Sequence, residues 1–390
     1  MSDIDTIRRI ETFIVEIPRE TPYLGPLREG ERINRSGYIV RHGNRTLYPT
    51  TDRSVLLKVT AESGAFGWGE TYGIVAPRAV QEIIADVIAP VLEGFSADAP
   101  AAAHDLLYDL MRVRGFWSGF WTDALAAIDI ALWDLLGRKL GVPVSTLLGG
   151  RRQATLPAYV SGLPAATLPE RCDMAVRFRD QGFGAVKFAA VVADDGPVAE
   201  IAALREALGP EMKIMADLHW RFSAAEAIRV ITAMAPHGLA FAEAPCAPED
   251  FLGQAEVARA VPVPIALGEE LRSGFEWLPR FQHSCMGIAQ PEMARTGITE
   301  FMRIAALCHT HHVAIAPHAT IGVGIFLAAS LHCASTLANM PWHEYQHSVV
   351  DRHLGLVETD MACAQGHYTV PTGPGLGVVP TRKMFDHVIA

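Results

Sequence analysis

The chain lacks the marks of several broad protein classes. It has no basic excess: 33 Lys and Arg stand against 43 Asp and Glu, a formal net charge of −10 over 390 residues. A nucleic acid or an anionic membrane needs a concentrated basic face, so the balance argues against both and for a small-molecule partner. The six cysteines, Cys172, Cys246, Cys285, Cys308, Cys333 and Cys363, show neither CxxC nor zinc-finger spacing and read as buried thiols. No apolar run is both long and clean enough to span a bilayer; Ile321 to Met340 is interrupted by Gly, Ser, His, Thr and Asn and reads as a buried helix. Met1 to Glu16 carries charges throughout and resembles no secretory leader, so a cytoplasmic location is expected. What is present is a globular composition, 50% apolar and 19% charged, in a chain long enough for two domains or one large barrel with an attached lobe.

The first third reads as an α+β lobe reaching roughly residue 125. Ile10 to Ile17 and Ser54 to Val59 alternate and are β-branched, and Gly64 to Glu70 looks like a returning strand. Arg78 to Leu92 and Ala101 to Arg114 then show helical apolar spacing. Between the first two strands lies Thr21 to Thr51, rich in Gly, Pro, Arg and Tyr, a length of loop that usually serves as a lid or binding loop. Its arginines, Arg28, Arg32, Arg35, Arg41 and Arg45, suit either an anionic substrate or plain solvent. Asp123 to Leu140 is a helix stopped by Gly141 and Pro143.

Beyond it a longer rhythm begins. Eight short apolar runs, Leu156 to Val160, Ala185 to Phe188, Lys213 to Ala216, Leu239 to Ala242, Pro264 to Leu267, Gly287 to Gln290, His312 to Ala316 and Trp342 to Tyr345, alternate with amphipathic segments. That order builds a parallel sheet, and eight runs suggest a closed barrel. Ionisable residues return in phase with them: Lys187 in the second run, then Asp217, Glu243, Glu269, Glu292, His318 and Glu344, spaced by roughly 23 to 30 residues, close to one βα unit. In a parallel barrel the C-terminal strand ends converge on the face that carries the active site. A single carboxylate there more often caps a helix. Three from consecutive strands repel one another unless a cation sits among them, which points to Asp217, Glu243 and Glu269 as metal ligands and, from oxygen donors alone, to Mg²⁺.

The segments Gly67-Trp68-Gly69-Glu70, Ala127-Ile128-Asp129-Ile130-Ala131-Leu132-Trp133-Asp134, Leu147-Leu148-Gly149-Gly150, Ala242-Glu243-Ala244-Pro245, Gly268-Glu269-Glu270 and Gly373-Pro374-Gly375-Leu376-Gly377-Val378 resemble the mandelate racemase and muconate lactonising branch of the enolase superfamily. The likeness runs over nearly the whole chain. It implies a capping lobe (1–125), a modified (β/α)₇β barrel of the TIM type (126–365), a segment returning to the lobe (366–390), Mg²⁺ on the three acids, and commonly a homo-oligomer.

His318 follows one strand and Glu292 ends the one before it, so the pair is placed for a hydrogen bond in which the carboxylate fixes the imidazole as a base. Relatives usually have Asp where this chain has Glu292. They often carry Lys-x-Lys on the second strand, whereas this chain reads Lys187-Phe188-Ala189, so the second base is missing. By resemblance Lys187 and Glu344 hold the substrate carboxylate, and His219, in an Asp-x-His arrangement like that of mannonate-type dehydratases, is an acid for a departing hydroxyl. One base and one acid favour dehydration of an aldonate or aldarate to a 2-keto-3-deoxy acid, with His219 or His318 itself as the acid. Epimerisation or cycloisomerisation, and more remotely an inert barrel, are the alternatives. Tyr23, Arg45, Tyr72, Tyr159 and Trp220 are the candidate substrate contacts.

Overall fold

A computed structural model describes residues 5–319 and 322–390. Residues 1–4 and 320–321, and with them the start of the Met1 to Glu16 segment and of the Ile321 to Met340 stretch, lie outside the described residues. The lobe is a three-stranded antiparallel sheet of β1 (Ile7–Pro18), β4 (Thr51–Ala61) and β5 (Phe66–Tyr72). The segment expected to be a long loop contains a small hairpin, β2 (Tyr38–Val40) and β3 (Leu47–Pro49). The helical stretch from Pro77 to Leu92 carries a π-helical turn at Ile83–Ile88.

The barrel strands are β6 (Thr155–Ser161), β7 (Ala185–Ala189), β8 (Lys213–Asp217), β9 (Leu239–Glu243), β10 (Ile265–Leu267), β11 (Ile288–Ala289), β12 (Ala314–Ile315) and β13 (His343–Tyr345). They pair in parallel in the order β12-β11-β10-β9-β8-β7-β6-β13, and a bond from Glu344 N–H to the Pro317 carbonyl joins the two ends. All eight runs expected from the sequence are strands, shorter at β11 and β12 than the apolar pattern suggests. Among the described residues no helix is long and apolar enough to cross a membrane.

The helix Phe120–Leu140 joins the two parts and runs straight through residue 125, because nearly every face of it is covered by lobe or barrel. Two glycines make the contact possible: a Cβ at Gly69 would lie 1.9 Å from the Ala127 carbonyl oxygen, and one at Gly67 2.1 Å from that of Ala131. Carboxylates then fasten the seam. Asp134 accepts from the backbone N–H groups of Trp68 (2.8 Å) and Leu376 (2.7 Å) and from Arg138 (2.8 Å). Asp129 accepts from the Thr299 N–H (2.8 Å) and hydroxyl (2.5 Å). Glu70 accepts from the Ser54 hydroxyl (2.6 Å) and from the N–H groups of Val323, Ile325 and Phe326, so a lobe residue caps the barrel helix Ile325–Ala334 just after His318. The last residues return to β1, where Ile14 N–H donates to the Ala390 carbonyl and Ile389 N–H to that of Ile14.

Candidate active site

The barrel register brings the ionisable groups together. Asp217 and Glu243 are direct neighbours across β8 and β9, and Glu243 faces Ala266 of β10, three residues before Glu269. Lys187, on the interior face of β7, lies 2.7 Å from Glu243 Oε2 and 3.1 Å from Glu344 Oε1. Burial alone disfavours its charge, but Glu243 and Glu344 outweigh that and hold its pKa well above the ordinary lysine value. Burial lifts Glu243 to about 7 even against Lys187.

The expected dyad has the required contact: His318 Nδ1 lies 2.7 Å from Glu292 Oε2. Glu292 is fully buried and over-determined, because the Tyr72 hydroxyl donates to the same oxygen (2.6 Å) and the Ala294 N–H to the other (3.0 Å). The longer arm of Glu relative to Asp is accommodated by making the carboxylate the N-cap of Met293–Thr310. The other imidazole nitrogen, His318 Nε2, lies 2.5 Å from Glu269 and 3.6 Å from Glu344. Burial opposes a charged His318, but Glu269 and Glu344 prevail and raise its pKa well above the ordinary histidine value. In the turn just beyond β8, His219 sits 3.0 Å from Asp217 through Nδ1, and its backbone N–H donates to the same carboxylate at 2.9 Å.

Among the described residues, donor atoms of Glu243, Glu269 and His318 converge within 4.8 Å of one another, while Asp217 is turned onto His219. The donors fit a hard divalent cation. Glu243 Oε1 is buried with no hydrogen-bond partner among the described residues, and neighbouring strands supply further carboxylate oxygens.

Two adjoining cavities open on these groups. One, of about 330 Å³, is lined by Lys187, Asp217, Glu269, His318 and Glu344 together with Tyr23, Tyr72 and Trp220. The other, of about 830 Å³, shares Tyr23, Lys187, Asp217 and His219 and runs beneath residues 18–25 to Arg19 and Arg352. Tyr23 accepts a hydrogen bond from Gln346 at 2.9 Å. Two expected substrate contacts are corrected. Arg45 is exposed, on a left-handed turn (φ 56°), and lines neither cavity. Tyr159 shares the interior face of β6 with Ser161 but lies two residues deeper, fully buried, with its hydroxyl 3.4 Å from Lys187. The loop arginine that matters is Arg41, whose buried guanidinium pairs with Glu31 (2.7 Å) and donates to the carbonyls of Tyr23 and Pro26, stapling the loop over the mouth. Sequence reasoning passes over Gln290, which donates to Glu243 at 2.6 Å; only its place at a strand end signals it.

Residues 45–149 match the mandelate racemase / muconate lactonizing enzyme N-terminal domain, and residues 170–384 match the enolase C-terminal domain-like family. A D-galactarolactone cycloisomerase from Agrobacterium fabrum is 30% identical over 84% of this chain and 89% of its own length. A D-galactonate dehydratase from Xanthomonas euvesicatoria pv. vesicatoria is 31% identical over 87% of this chain and 92% of its own. The solved structure of an enolase superfamily member from Agrobacterium tumefaciens superposes with a TM-score of 0.96 at 50% identity, covering 99% of both chains. A racemase from Streptomyces coelicolor A3(2), solved with bound magnesium, shares the fold at a TM-score of 0.85 and 24% identity, over 98% of this chain and 100% of that one.

Proposed function

The chain belongs to the mandelate racemase / muconate lactonizing enzyme family of the enolase superfamily, and on that premise we propose that it is a Mg²⁺-dependent hydro-lyase. The substrate is an acid sugar, an aldonate or aldarate, which loses its α-proton and β-hydroxyl to give a 2-keto-3-deoxy acid. The observation that carries this reading is the His318 and Glu292 pair, 2.7 Å apart, with His318 on a cavity wall that also holds Lys187, Glu344, Asp217 and Glu269.

Asp217, Glu243 and Glu269 are the residues that would hold Mg²⁺, which when bound lowers the cost of the second negative charge that α-proton removal puts on the carboxylate. The protein's own groups do the rest. Lys187 remains an ammonium and neutralises the substrate carboxylate, and Glu344, acting as a neutral or shared-proton acid, donates a hydrogen bond to it. His318 Nε2, freed of the Glu269 carboxylate that raises its pKa once that acid is engaged by the metal, would accept the α-proton while Glu292, accepting from Nδ1–H, fixes the tautomer. The β-carbon to oxygen bond then breaks, the hydroxyl leaves as water with a proton from His219 or from His318, and the enol takes a proton at carbon three to become the ketone. Ala189, two residues beyond Lys187 on the wall of the larger cavity, offers no second amine, which favours elimination over two-base racemisation.

Cycloisomerisation of an acid-sugar lactone is the second reading, favoured by the likeness to the D-galactarolactone cycloisomerase. Incubating the Mg²⁺-loaded enzyme with a panel of acid sugars separates the two. Keto-acid formation with loss of water is expected; α-proton exchange with no loss of water from any substrate would favour the second reading.

A further inference from the structure

Three polar side chains on the smaller cavity have buried atoms without a partner. Both carboxylate oxygens of Glu270, Arg295 Nε and Trp220 Nε1 are buried without a hydrogen bond among the described residues. Among the described residues Arg295 makes no ion pair; its guanidinium lies over the Tyr72 ring, 4.9 Å from the centroid. Buried groups this short of partners are uncommon, and each carries a cost the fold has not removed. None of them is needed by the proton transfers above.

The backbone beneath Trp220 is also unusual. His219 and Trp220 are consecutive non-glycine residues in the left-handed region (φ 50° and 53°), and a bond from Trp220 N–H to the Ala244 carbonyl (2.7 Å) holds the turn. Strain of this kind persists where the surroundings fix a side chain for use.

We propose that Glu270, Arg295 and Trp220 form a hydroxyl-reading subsite that grips the polyol tail of the substrate and sets specificity. The proposal rests on the acid-sugar reading and deepens it. Arg295 and Trp220 only donate and the Glu270 carboxylate offers two acceptor oxygens, whereas each sugar hydroxyl both donates and accepts, so one polyol satisfies all three.

The test uses the full-length Mg²⁺-loaded enzyme with two probes: a panel of hexonates, and glycerate, the shortest acid with an α-proton, a β-hydroxyl and no tail. Glu270→Met and Arg295→Met should each lower kcat/KM for the preferred hexonate by about ten- to a hundredfold, as expected when a charged group loses a hydrogen-bonded hydroxyl. Exchange of the glycerate α-proton in deuterated buffer should stay within about threefold of wild type. Thermal midpoints should hold or rise, because an unpartnered polar group gives way to an apolar one of similar length. Equal losses on both probes, unchanged hexonate kinetics, or a lowered midpoint in both variants would overturn the subsite. A wild-type enzyme inert toward every hexonate and glycerate would overturn the acid-sugar reading, and the subsite with it.

Discussion

Two sets of buried carboxylates divide this molecule. At the seam between lobe and barrel, Glu70 accepts from four donors and Asp134 from three, most of them backbone N–H groups. At the barrel mouth, Glu243 leaves one oxygen and Glu270 two without a partner among the described residues. Burial pushes the titration of Glu70 and Asp134 upward just as it lifts Glu243 to about 7, so depth does not separate the sets. Donor supply does. This chain has the means to saturate a buried carboxylate with fixed backbone donors, and the acids it leaves short are those placed for something that binds.

The sharpest way to break that contrast is to remove one acid from each set. Glu70→Ala orphans the first N–H groups of the helix Ile325–Ala334 and should cost about 3–5 kcal/mol, read from denaturant midpoints. Glu269→Gln should change the metal-free stability by less than about 1 kcal/mol, since its carboxylate is 22% exposed and the substitution gives up little beyond the bond to His318. Comparable losses in the two variants would erase the distinction.

A smaller effect sharpens it from the ligand side. Mg²⁺ at a hundredfold over its dissociation constant should stabilise the wild type by about 2.7 kcal/mol and raise its thermal midpoint. Glu269→Gln should lose most of that shift, and Glu70→Gln, if folded, should keep it.

The seam also predicts a pH dependence. His332, buried on Ile325–Ala334, accepts from the Ser145 N–H at Nδ1 (3.3 Å) and donates from Nε2 to the Leu376 carbonyl (3.1 Å), so the neutral ring ties three segments together. Burial lowers its pKa from 6.5 to about 4. The stability it contributes is therefore complete above the unfolded value near 6.5 and is lost as pH falls from there toward 4, by about 2 kcal/mol at pH 5. His332→Gln should flatten that part of a stability–pH curve; an unchanged slope would remove the assignment.

The same contrast explains what was legible in the sequence. Asp217, Glu243, Glu269, Glu292, His318 and Glu344 could be read because strand period and barrel geometry send C-terminal strand ends to one place. Glu70, Asp129 and Asp134 showed themselves only as letters of a motif. Their partners lie far along the chain, Phe326 for Glu70 and Leu376 for Asp134, and no local period announces such pairs. Tyr159 and Arg45 were misplaced for a related reason. Alternation gives the face of a strand but not its depth, and composition marks a loop without giving its path, which is also how the hairpin at Tyr38–Pro49 escaped notice.

In the proposed reaction one imidazole takes one proton, and isotope incorporation tests that directly. In deuterated buffer with Mg²⁺ and a turned-over acid sugar, wild-type enzyme should give keto acid deuterated at carbon three. His318→Asn, folded and binding Mg²⁺ as wild type does, should form that product at least about a hundredfold more slowly. Undiminished turnover by His318→Asn would contradict the assignment of the base and the mechanism built on it.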